Sequence, residues 1–421
     1  MSGVSKHNEA GHSQDACPGI DERTQKAQKH IHTLCSLISN RRLGSQGNHA
    51  ATDMFIGAIK QRGYTVDATP FTCTDHVTGA SSLTCRGRTY PVFISPYSPV
   101  CNVTAKLVTV STIEELRDVS CKGMILLMKG GLCAEKLMPK NFPFYNPDNH
   151  KEIYSLLEKK QPAAIITATM KSPGLAGGLY QFPLIEDGDF DIPSVYCTDV
   201  TGEEIATGSS EAFTLVIDAK RISSTACNVI ARKNPGADKK IVICAHIDTK
   251  ENTPGAIDNA SGVTVLLLLA EMLEDYGGAA GIEIAAINGE DNYCVGGELD
   301  YLNRYGNEIE RIAAAVNIDG AGYLRGRTAY SLYGYSEEQA RAIRSVLDGY
   351  ASLTEGDQWY QGDHTMFVMR GRPVIAFTSE NAAELVDMIV HTTGDTPDLV
   401  DHKKLVDLAC IVKDLITKGI L

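Results

Sequence analysis

Residues 240–276 read KIVICAHIDTKENTPGAIDNASGVTVLLLLAEMLEDY, and this stretch carries the clearest structural signal in the chain. It begins with a short apolar run, residues 240–245, which has the length and β-branched content of a strand buried on both faces. It ends with a longer apolar segment, residues 261–276, whose length indicates a helix. A strand followed by a helix is the unit that builds sheets covered by helices on both faces.

The same alternation of strand and helix continues on both sides of this unit. Three further short apolar runs predict central strands, at residues 282–288, 312–318 and 373–378. Helical patterns occupy four more segments, residues 22–38, 48–62, 336–351 and 402–418. We therefore predict the α/β class, with a mixed, mostly parallel central sheet flanked by helices.

The region between residues 76 and 210 has a different character, with short β-branched runs, many turns and few long helices. Because 421 residues exceed one ordinary core, we interpret this region as an inserted β-rich domain. Its clearest segments are strands at 123–128, 163–169 and 192–197 and a helix at 151–160. The predicted organisation is a mobile tail, 1–19, a main domain, 20–75 and 211–421, and the insertion, 76–210.

Composition excludes several classes of protein. A formal net charge of −13 argues against binding to nucleic acid or to an anionic membrane, although it is also the charge of an ordinary soluble surface. The sequence contains no apolar run of membrane-spanning length, and its first twenty residues lack the apolar core of a signal peptide. Twelve cysteines are scattered without a CxxC pair, which favours a reducing, cytoplasmic location unless a leader has been trimmed.

Ionisable side chains gather where the predicted strands end. They are His246, Asp248, Asp258, Glu290, Asp291 and Asp319. In open α/β sheets the ligand crevice lies outside the carboxyl ends of the strands, so these residues are expected to share one cleft. Any one of these carboxylates alone is more often a helix cap or a solvated charge than a metal ligand.

Five carboxylates in one cleft require positive charge, because neighbouring carboxylates cannot all remain ionised alone. Divalent metal is the simplest source of that charge. Mixed imidazole and carboxylate ligands suit Zn, with Mn and Co as substitutes, whereas Mg favours oxygen ligands and water. Two ions about 3.5–4 Å apart clamp the oxygens of a hydrolytic transition state, and one Glu must then remain as the proton carrier.

Several motifs resemble the metal and catalytic motifs of peptidase family M28. They are AHID (245–248), PGAIDNASG (254–262), NGED (288–291), NIDGAG (317–322) and HTTGDTPD (391–398), with RLGSQGN (42–48) upstream. The insertion is similar, more weakly, to the protease-associated domain that many members carry. This resemblance implies a zinc metallopeptidase that uses two divalent ions.

The resemblance also assigns a role to each residue. It makes Asp258 the bridging ligand, with His246 and Asp319 at one ion and Asp291 and His391 at the other. Glu290 becomes the general base that activates the attacking water and passes its proton to the departing amine. In this family the peptide bond after the bridging Asp is often cis, which here is Asp258–Asn259.

Four positions leave alternatives open. Many relatives have Glu where this chain has Asp291, which shortens that ligand by one methylene. Some place an oxyanion-stabilising Tyr where Val390 stands, so His364, in a loop resembling the family's SDH motif, is a candidate replacement or else a surface-loop histidine. Asp248 either holds the other nitrogen of His246 as a catalytic support or closes a turn.

We expect the enzyme to hydrolyse a peptide or a related amide as an exopeptidase, in particular an aminopeptidase. The alternatives on the same fold are a carboxypeptidase, a small-amide hydrolase and a glutaminyl-cyclase-like enzyme. A non-catalytic, receptor-like homologue would have lost ligands or the base, and this sequence retains all of them. A homo-oligomer is compatible with the sequence, and the insertion is positioned to cover the mouth of the active site.

Overall fold

The computed structural model describes residues 20–38, 40–142, 144–169, 183–292 and 296–421. Within them the strands are β1 (Thr65–Asp67), β2 (Phe71–Cys85), β3 (Arg88–Tyr90), β4 (Phe93–Ile94), β5 (Cys101–Val110), β6 (Ile125–Met128), β7 (Ala164–Thr169), β8 (Ser194–Thr198), β9 (Ala212–Ala226), β10 (Val229–Lys233), β11 (Lys240–His246), β12 (Gly281–Ile287), β13 (Ile312–Ile318), β14 (Thr328–Tyr333), β15 (Leu353–Glu355) and β16 (Val374–Ser379). The α-helices are α1 (Ile20–His32), α2 (Gln46–Lys60), α3 (Ile113–Asp118), α4 (Asp148–Lys160), α5 (Asp199–Ala206), α6 (Ser261–Met272), α7 (Gly297–Tyr305), α8 (Glu337–Leu347), α9 (Thr365–Val368), α10 (Ala382–Met388) and α11 (His402–Thr417).

The first sheet has the order β1-β10-β12-β11-β13-β16-β14-β15. Its four central strands, β12, β11, β13 and β16, are parallel to one another, while β10 and β14 run antiparallel at either side. The predicted α/β class with a mostly parallel centre is therefore confirmed. All seven residues of β11 and of β12 are buried, as expected for central strands covered by helices on both faces.

Helices α1, α6 and α11 pack together over one face of this sheet. Helix α6 is apolar all round because it is enclosed by the sheet and by its neighbouring helices, so residues 261 to 270 are all buried. The helix predicted at residues 22–38 is α1 followed by a π-helical turn, Thr33–Leu37. The helix predicted at 261–276 ends earlier, at Met272.

The second sheet has the order β3-β2-β9-β5-β6-β7-β8-β4 and is formed by residues 71–226. Strands β5 to β8 are parallel and are accompanied by helices α3, α4 and α5, so the predicted β-rich region contains a mixed sheet flanked by helices. Strands β2 and β9 are fifteen residues long and pair antiparallel from Phe71↔Ala226 to Thr84↔Thr214. The likeness to a protease-associated domain and the boundaries at 76 and 210 stay predictions.

The RLGSQGN loop joins the two sheets. Gly44 has a φ of +75°, and a Cβ there would lie 2.7 Å from the Cys73 sulfur of β2, so only glycine fits. The Ser224 hydroxyl of β9 donates to the Gly44 carbonyl at 2.7 Å. Ser45 caps α2 by accepting from the Asn48 amide at 3.1 Å, and the Asn48 side chain donates to Asn288 at 2.6 Å, just after β12. This loop thus links strands β2 and β9 of the second sheet to the carboxyl edge of the first sheet.

The helices and the cysteines both bear on the expected environment of the protein. The described helices include none with the length and apolar character needed to cross a bilayer. Cys410 in α11 is disulfide-bonded, whereas Cys244, at the centre of β11, is one of several free thiols. The reducing, cytoplasmic location stays a prediction.

Candidate metal centre and active site

The parallel register of the first sheet brings the predicted site residues to one edge. His246 is the last residue of β11 and lies opposite Ile287, the last residue of β12. Glu290 and Asp291 follow β12, and Asp319 directly follows β13. Because parallel strands end at the same edge, these side chains converge although they are up to 73 positions apart, the separation between His246 and Asp319.

The first group of potential metal ligands consists of His246, Asp258 and Asp319. The His246 Nε2 atom lies 3.0 Å from Asp258 Oδ1 and 3.4 Å from Asp319 Oδ1. One ligand atom from each residue lies within 4.8 Å of the others. Such a set can close on a single ion with small side-chain movements.

The second group consists of Asp258, Asp291 and His391. The His391 Nε2 atom lies 2.9 Å from Asp258 Oδ2 and 2.9 Å from Asp291 Oδ1. Asp258 therefore belongs to both groups and turns one carboxylate oxygen toward each. His391 itself has a left-handed φ of 61°, which is uncommon for a residue other than glycine and recurs at functional sites.

The backbone around Asp258 is held by polar contacts. The buried Asp395 carboxylate accepts from the Ile257 and Asp258 amides at 2.7 and 3.1 Å. The Asn259 side chain donates to the Ile318 carbonyl at 2.9 Å, at the end of β13. The Asp258–Asn259 peptide bond is cis, as the family resemblance implied. Asp395 lies in the HTTGDTPD motif, but the sequence alone assigns it no role.

Arg41 is a second residue that sequence reasoning missed. Its side chain is fully buried and donates to the carbonyls of Ile247, Pro254 and Gly255 at 3.1, 3.0 and 2.9 Å. These carbonyls belong to the loop between β11 and α6, which carries Asp258. Its neighbour Arg42 was visible in the RLGSQGN motif, but the sequence offered no separate signal for Arg41.

Asp248 supports the site differently from the expectation. Its carboxylate accepts from the Gly289 amide and from the Asn292 side chain, both at 2.7 Å. The His246 Nδ1 atom lies 3.2 Å from the Asp248 main-chain carbonyl and 3.8 Å from its carboxylate, so the carbonyl is the closer partner. Asp248 thus orients the imidazole through its backbone and holds the loop after β12 through its side chain.

The cluster contains more negative charge than the protein itself neutralises. Burial alone would lower the pKa of His391, but Asp291 and Asp258 raise that pKa to about 9. Burial would also lower the pKa of His246, yet Asp319 and Glu290 raise it well above its ordinary value. Burial, reinforced by Asp319 and Asp291, raises the pKa of Glu290 well above its usual range.

These residues fit divalent metal ions. The Asp291 Oδ2 atom is buried without a hydrogen-bond partner, which leaves a carboxylate oxygen available as a ligand. Imidazole nitrogens and carboxylate oxygens are the donors that zinc takes in catalytic sites. Glu290 belongs to neither ligand group, and its Oε2 atom lies 3.8 Å from His246 Nε2, so its carboxylate remains beside the centre.

The structure corrects both interpretations of His364. The residue is completely buried, so it is not a surface-loop histidine. Its Nε2 atom lies 2.8 Å from the Trp359 carbonyl, and its Nδ1 atom lies 3.3 Å from the Asn317 side chain, so both ring nitrogens already have protein partners. His364 is therefore not placed to stabilise an oxyanion, and burial lowers its pKa to about 4.

A cavity of about 610 Å³ opens over the two ligand groups. Glu290 and Val390 line this cavity. Val390 stands where some family members have Tyr. The insertion contributes to the same lining, with Lys136 and Tyr145. Phe144, from the same loop as Tyr145, packs against a core cluster of the first sheet. The insertion thus forms part of the site.

A row of buried charged side chains, called the charge chain below, connects the insertion with the main domain. Glu186, from the insertion, accepts from the Lys250 Nζ atom at 2.7 Å and also pairs with Lys136. Lys250 in turn donates to the main-chain carbonyl of Asp291. These three residues lie in segments without periodic pattern and far apart in sequence, so no local pattern indicates that they meet.

Residues 228–416 match the model described as "Peptidase family M28". Among curated proteins, the chain is similar to a probable leucine aminopeptidase 1 of Trichophyton verrucosum, with 28% identity over 209 residues, 44% of this chain and 56% of that protein. The chain spans about half the length of this relative and of two other curated relatives, 56%, 54% and 50% respectively.

Two solved structures share the whole architecture. An aminopeptidase from Aneurinibacillus sp. strain AM-1 gives a TM-score of 0.75 with 23% identity over 94% of each chain. A zinc aminopeptidase from Bacillus subtilis gives a TM-score of 0.74 with 20% identity, again over 94% of each chain. At this identity the likeness establishes the fold, with both sheets included.

Proposed function

Residues 228–416 form a domain of peptidase family M28, and from this premise we propose that the chain is a metal-dependent exopeptidase that removes amino-terminal residues from peptides. The observation that carries the proposal is the position of Asp258, whose two carboxylate oxygens face two separate sets of ligands. A shared carboxylate of this kind is what a pair of divalent ions requires. Zinc is the proposed metal because the donors are imidazole and carboxylate.

Each side chain has a distinct task in this proposal. Bound ions would supply Lewis-acid polarisation of the scissile carbonyl and lower the pKa of water. His246, Asp258, Asp291, Asp319 and His391 hold them. Glu290 takes the proton of the attacking water and returns it to the departing amine, a role that its position beside both ligand groups but outside them allows. The side chain of Val390 has no hydrogen-bond donor, so it cannot stabilise an oxyanion as a Tyr hydroxyl would.

Amino-terminal cleavage is proposed because the curated relatives and the solved structures with this fold are named aminopeptidases. A cyclase-like enzyme that works with one ion is less compatible with two ligand groups around Asp258. A receptor-like role is disfavoured because the five ligand positions and Glu290 are all present and converge. The cytoplasmic location and a homo-oligomeric state are retained as predictions.

The test combines metal analysis with a substrate panel. We expect the purified protein to bind two zinc-like ions per chain and to hydrolyse aminoacyl p-nitroanilides, with no cleavage of the same substrates after N-acetylation. A blocked substrate that is cleaved as fast as the free one would contradict amino-terminal recognition. One bound ion, together with release of a cyclised product from glutaminyl substrates, would instead establish the cyclase-like alternative.

A further inference from the structure

The cavity over the ligand groups is lined by more carboxylates than the metal centre uses. Beyond the three carboxylate ligands and Glu290, the lining includes Glu135, Glu186, Asp357 and Glu380. Three of these four already have partners, which are the His150 ring at 3.1 Å from Glu135, Lys250 of the charge chain at 2.7 Å from Glu186, and Arg327 at 2.9 Å from Glu380. Among the residues that the structure describes, the Asp357 carboxylate has neither an ion pair nor a hydrogen bond. Asp357 is therefore the lining carboxylate that is free to pair with a substrate.

The main chain fixes the position of Asp357 beside the first sheet. The Ser331 hydroxyl of β14 donates to the Asp357 carbonyl at 2.7 Å, and the Gly356 amide donates to the Tyr330 carbonyl at 2.8 Å. The residue is exposed, so its side chain is accessible from the cavity. A carboxylate whose backbone is already held in place loses little conformational freedom when it binds a cation.

The strand order sets the distance between Asp357 and the metal centre. Strand β15, which precedes Asp357, lies three positions from β13, which precedes the ligand Asp319. Neighbouring strands are about 4.8 Å apart, so this separation is about 14 Å across the sheet. The α-ammonium of a substrate is attached next to the scissile carbonyl, so it cannot reach Asp357 from the metal centre. A lysine or arginine side chain carries its charge on a long stem that extends in this way.

The lining near Asp357 also suits the stem of a basic side chain. Ala329 of β14 and Trp359, which follows Asp357 by two residues, line the same cavity. Strand β14 lies beside β15 on the side of the metal centre. The methylene groups of lysine or arginine pack against apolar surface of this kind while the charged head contacts a carboxylate.

We propose that Asp357 is a specificity-determining residue that pairs with a basic side chain of the substrate, lysine or arginine. This inference rests on the proposed exopeptidase function and narrows its preferred substrates to basic peptides. Two sources of the cation fit this chemistry. One is the side chain of the residue that is released, and the other is the side chain of the residue that follows it in the peptide.

The experiment compares arginine with citrulline, which has nearly the same shape but no charge. Arginyl against citrullyl p-nitroanilide tests the released residue, and leucylarginine against leucylcitrulline tests the residue that follows it. We would measure kcat/KM for wild type, Asp357→Asn and Asp357→Glu. The control is Asp348→Asn, because Asp348 is also an exposed aspartate close to β15 in the sequence but does not line the cavity.

In wild type and in Asp348→Asn, we expect the arginine member of one pair to have the higher kcat/KM. In Asp357→Asn, the ratio of kcat/KM between the arginine and citrulline members of that pair should fall about fivefold, as expected for the loss of one solvent-accessible ion pair. Asp357→Glu should retain most of the preference, because it keeps the charge. The pair that responds identifies which residue of the peptide carries the cation.

Two results would overturn the inference separately from the proposed function. Wild type that cleaves the citrulline substrates but shows no preference for either arginine substrate would refute cation binding while leaving the exopeptidase intact. An equal fall of kcat/KM for the arginine and citrulline members in Asp357→Asn would show that Asp357 only maintains the structure. Wild type that cleaves none of the four substrates would refute the proposed function, and this inference with it.

Discussion

Two buried clusters of charge lie at opposite ends of the same sheet. At the amino ends of β11 and β12, Glu283 is completely buried and accepts from Arg232 at 2.6 Å and from Lys240 at 2.9 Å. The Tyr301 hydroxyl donates to its other oxygen. At the carboxyl ends, Asp258, Glu290, Asp291 and Asp319 converge, and among the described residues their side-chain ion pairs are with histidines rather than Lys or Arg.

The comparison shows that burial of charge does not by itself mark a functional site. Burial would raise the pKa of Glu283, but Lys240 and Arg232 lower that pKa below its usual value. The pKa of Glu290 is raised by burial and by neighbouring carboxylates. The amino-end cluster is balanced by the protein's own cations, whereas the carboxyl-end cluster needs cations from solution. This shortage of cations is the physical feature that identifies the site.

The largest expected effect is the loss of the shared ligand. Asp258→Ala should remove both ions, because both ligand groups use this carboxylate. We expect kcat/KM to fall by about 10⁴-fold or more, since ion binding and water activation are lost together. Metal content should fall toward zero in mass spectrometry. A variant with two bound ions and near-normal activity would break the comparison, because it would show that the carboxyl-end cluster needs no shared ligand.

The proton carrier should give the next largest effect. Glu290→Gln keeps the shape of the side chain and lies outside both ligand groups, so two ions should remain bound. We expect kcat to fall by about 10³-fold, within the range that general bases contribute. Metal analysis beside steady-state kinetics checks both parts. Loss of the ions together with the activity would mean that Glu290 is a ligand instead.

The amino-end cluster should respond in stability rather than in catalysis. Glu283→Gln leaves Arg232 buried without a carboxylate and leaves Lys240 with only the more exposed Glu308 at 3.3 Å, so we expect the free energy of unfolding to fall by about 3 kcal/mol. Urea unfolding measures this change, and kcat of the folded variant should stay within about threefold of wild type. Tyr301→Phe is the milder control, expected to cost about 1 kcal/mol because the ion pairs remain. A catalytic defect in Glu283→Gln without lost stability would contradict the distinction between the clusters.

The smallest effect concerns His364, which lies near the carboxyl-end cluster but behaves as a structural residue. Its folded pKa of about 4 lies below the unfolded value of 6.5, so the folded state favours the neutral ring. Its contribution to stability is complete above about pH 6.5 and is lost as the pH falls toward 4. Between pH 7 and pH 5 this loss should be about 2 kcal/mol, and His364→Gln should remove that part of the pH dependence. Urea unfolding at several pH values tests it, and an unchanged slope would mean that His364 stays protonated in the fold.

The local sequence predicts the strands of the central sheet closely, but it does not predict the long antiparallel pair β2 and β9 of the second sheet. Strand β13 occupies the predicted residues, 312–318; β11 extends one residue further than predicted, to His246, and β12 begins and ends one residue earlier than predicted. Apolar runs of this kind are readable because each buried strand needs nearly every side chain to be apolar. Strands β2 and β9 are rich in Thr and Ser with mixed burial, so they lack such a run. Their pairing, from Phe71↔Ala226 to Thr84↔Thr214, joins residues that are far apart in the sequence.

The sequence by itself determined which residues gather at the carboxyl edge of the sheet. It could do so because a strand boundary fixes where the next side chain lies, and parallel strands end at one edge. His391 has no such local cue beyond its motif, and the structure brings it to Asp258 through a left-handed residue after α10.

Only the tertiary structure decided how the insertion takes part in the site. It placed Lys136 and Glu186 against Lys250, buried His364 between Trp359 and Asn317, and enclosed one cavity between the two regions. None of these contacts follows from periodicity, because each joins segments that are separated by loops with no regular pattern. They depend on how the two sheets pack together, which is set by the whole chain rather than by any one stretch of it.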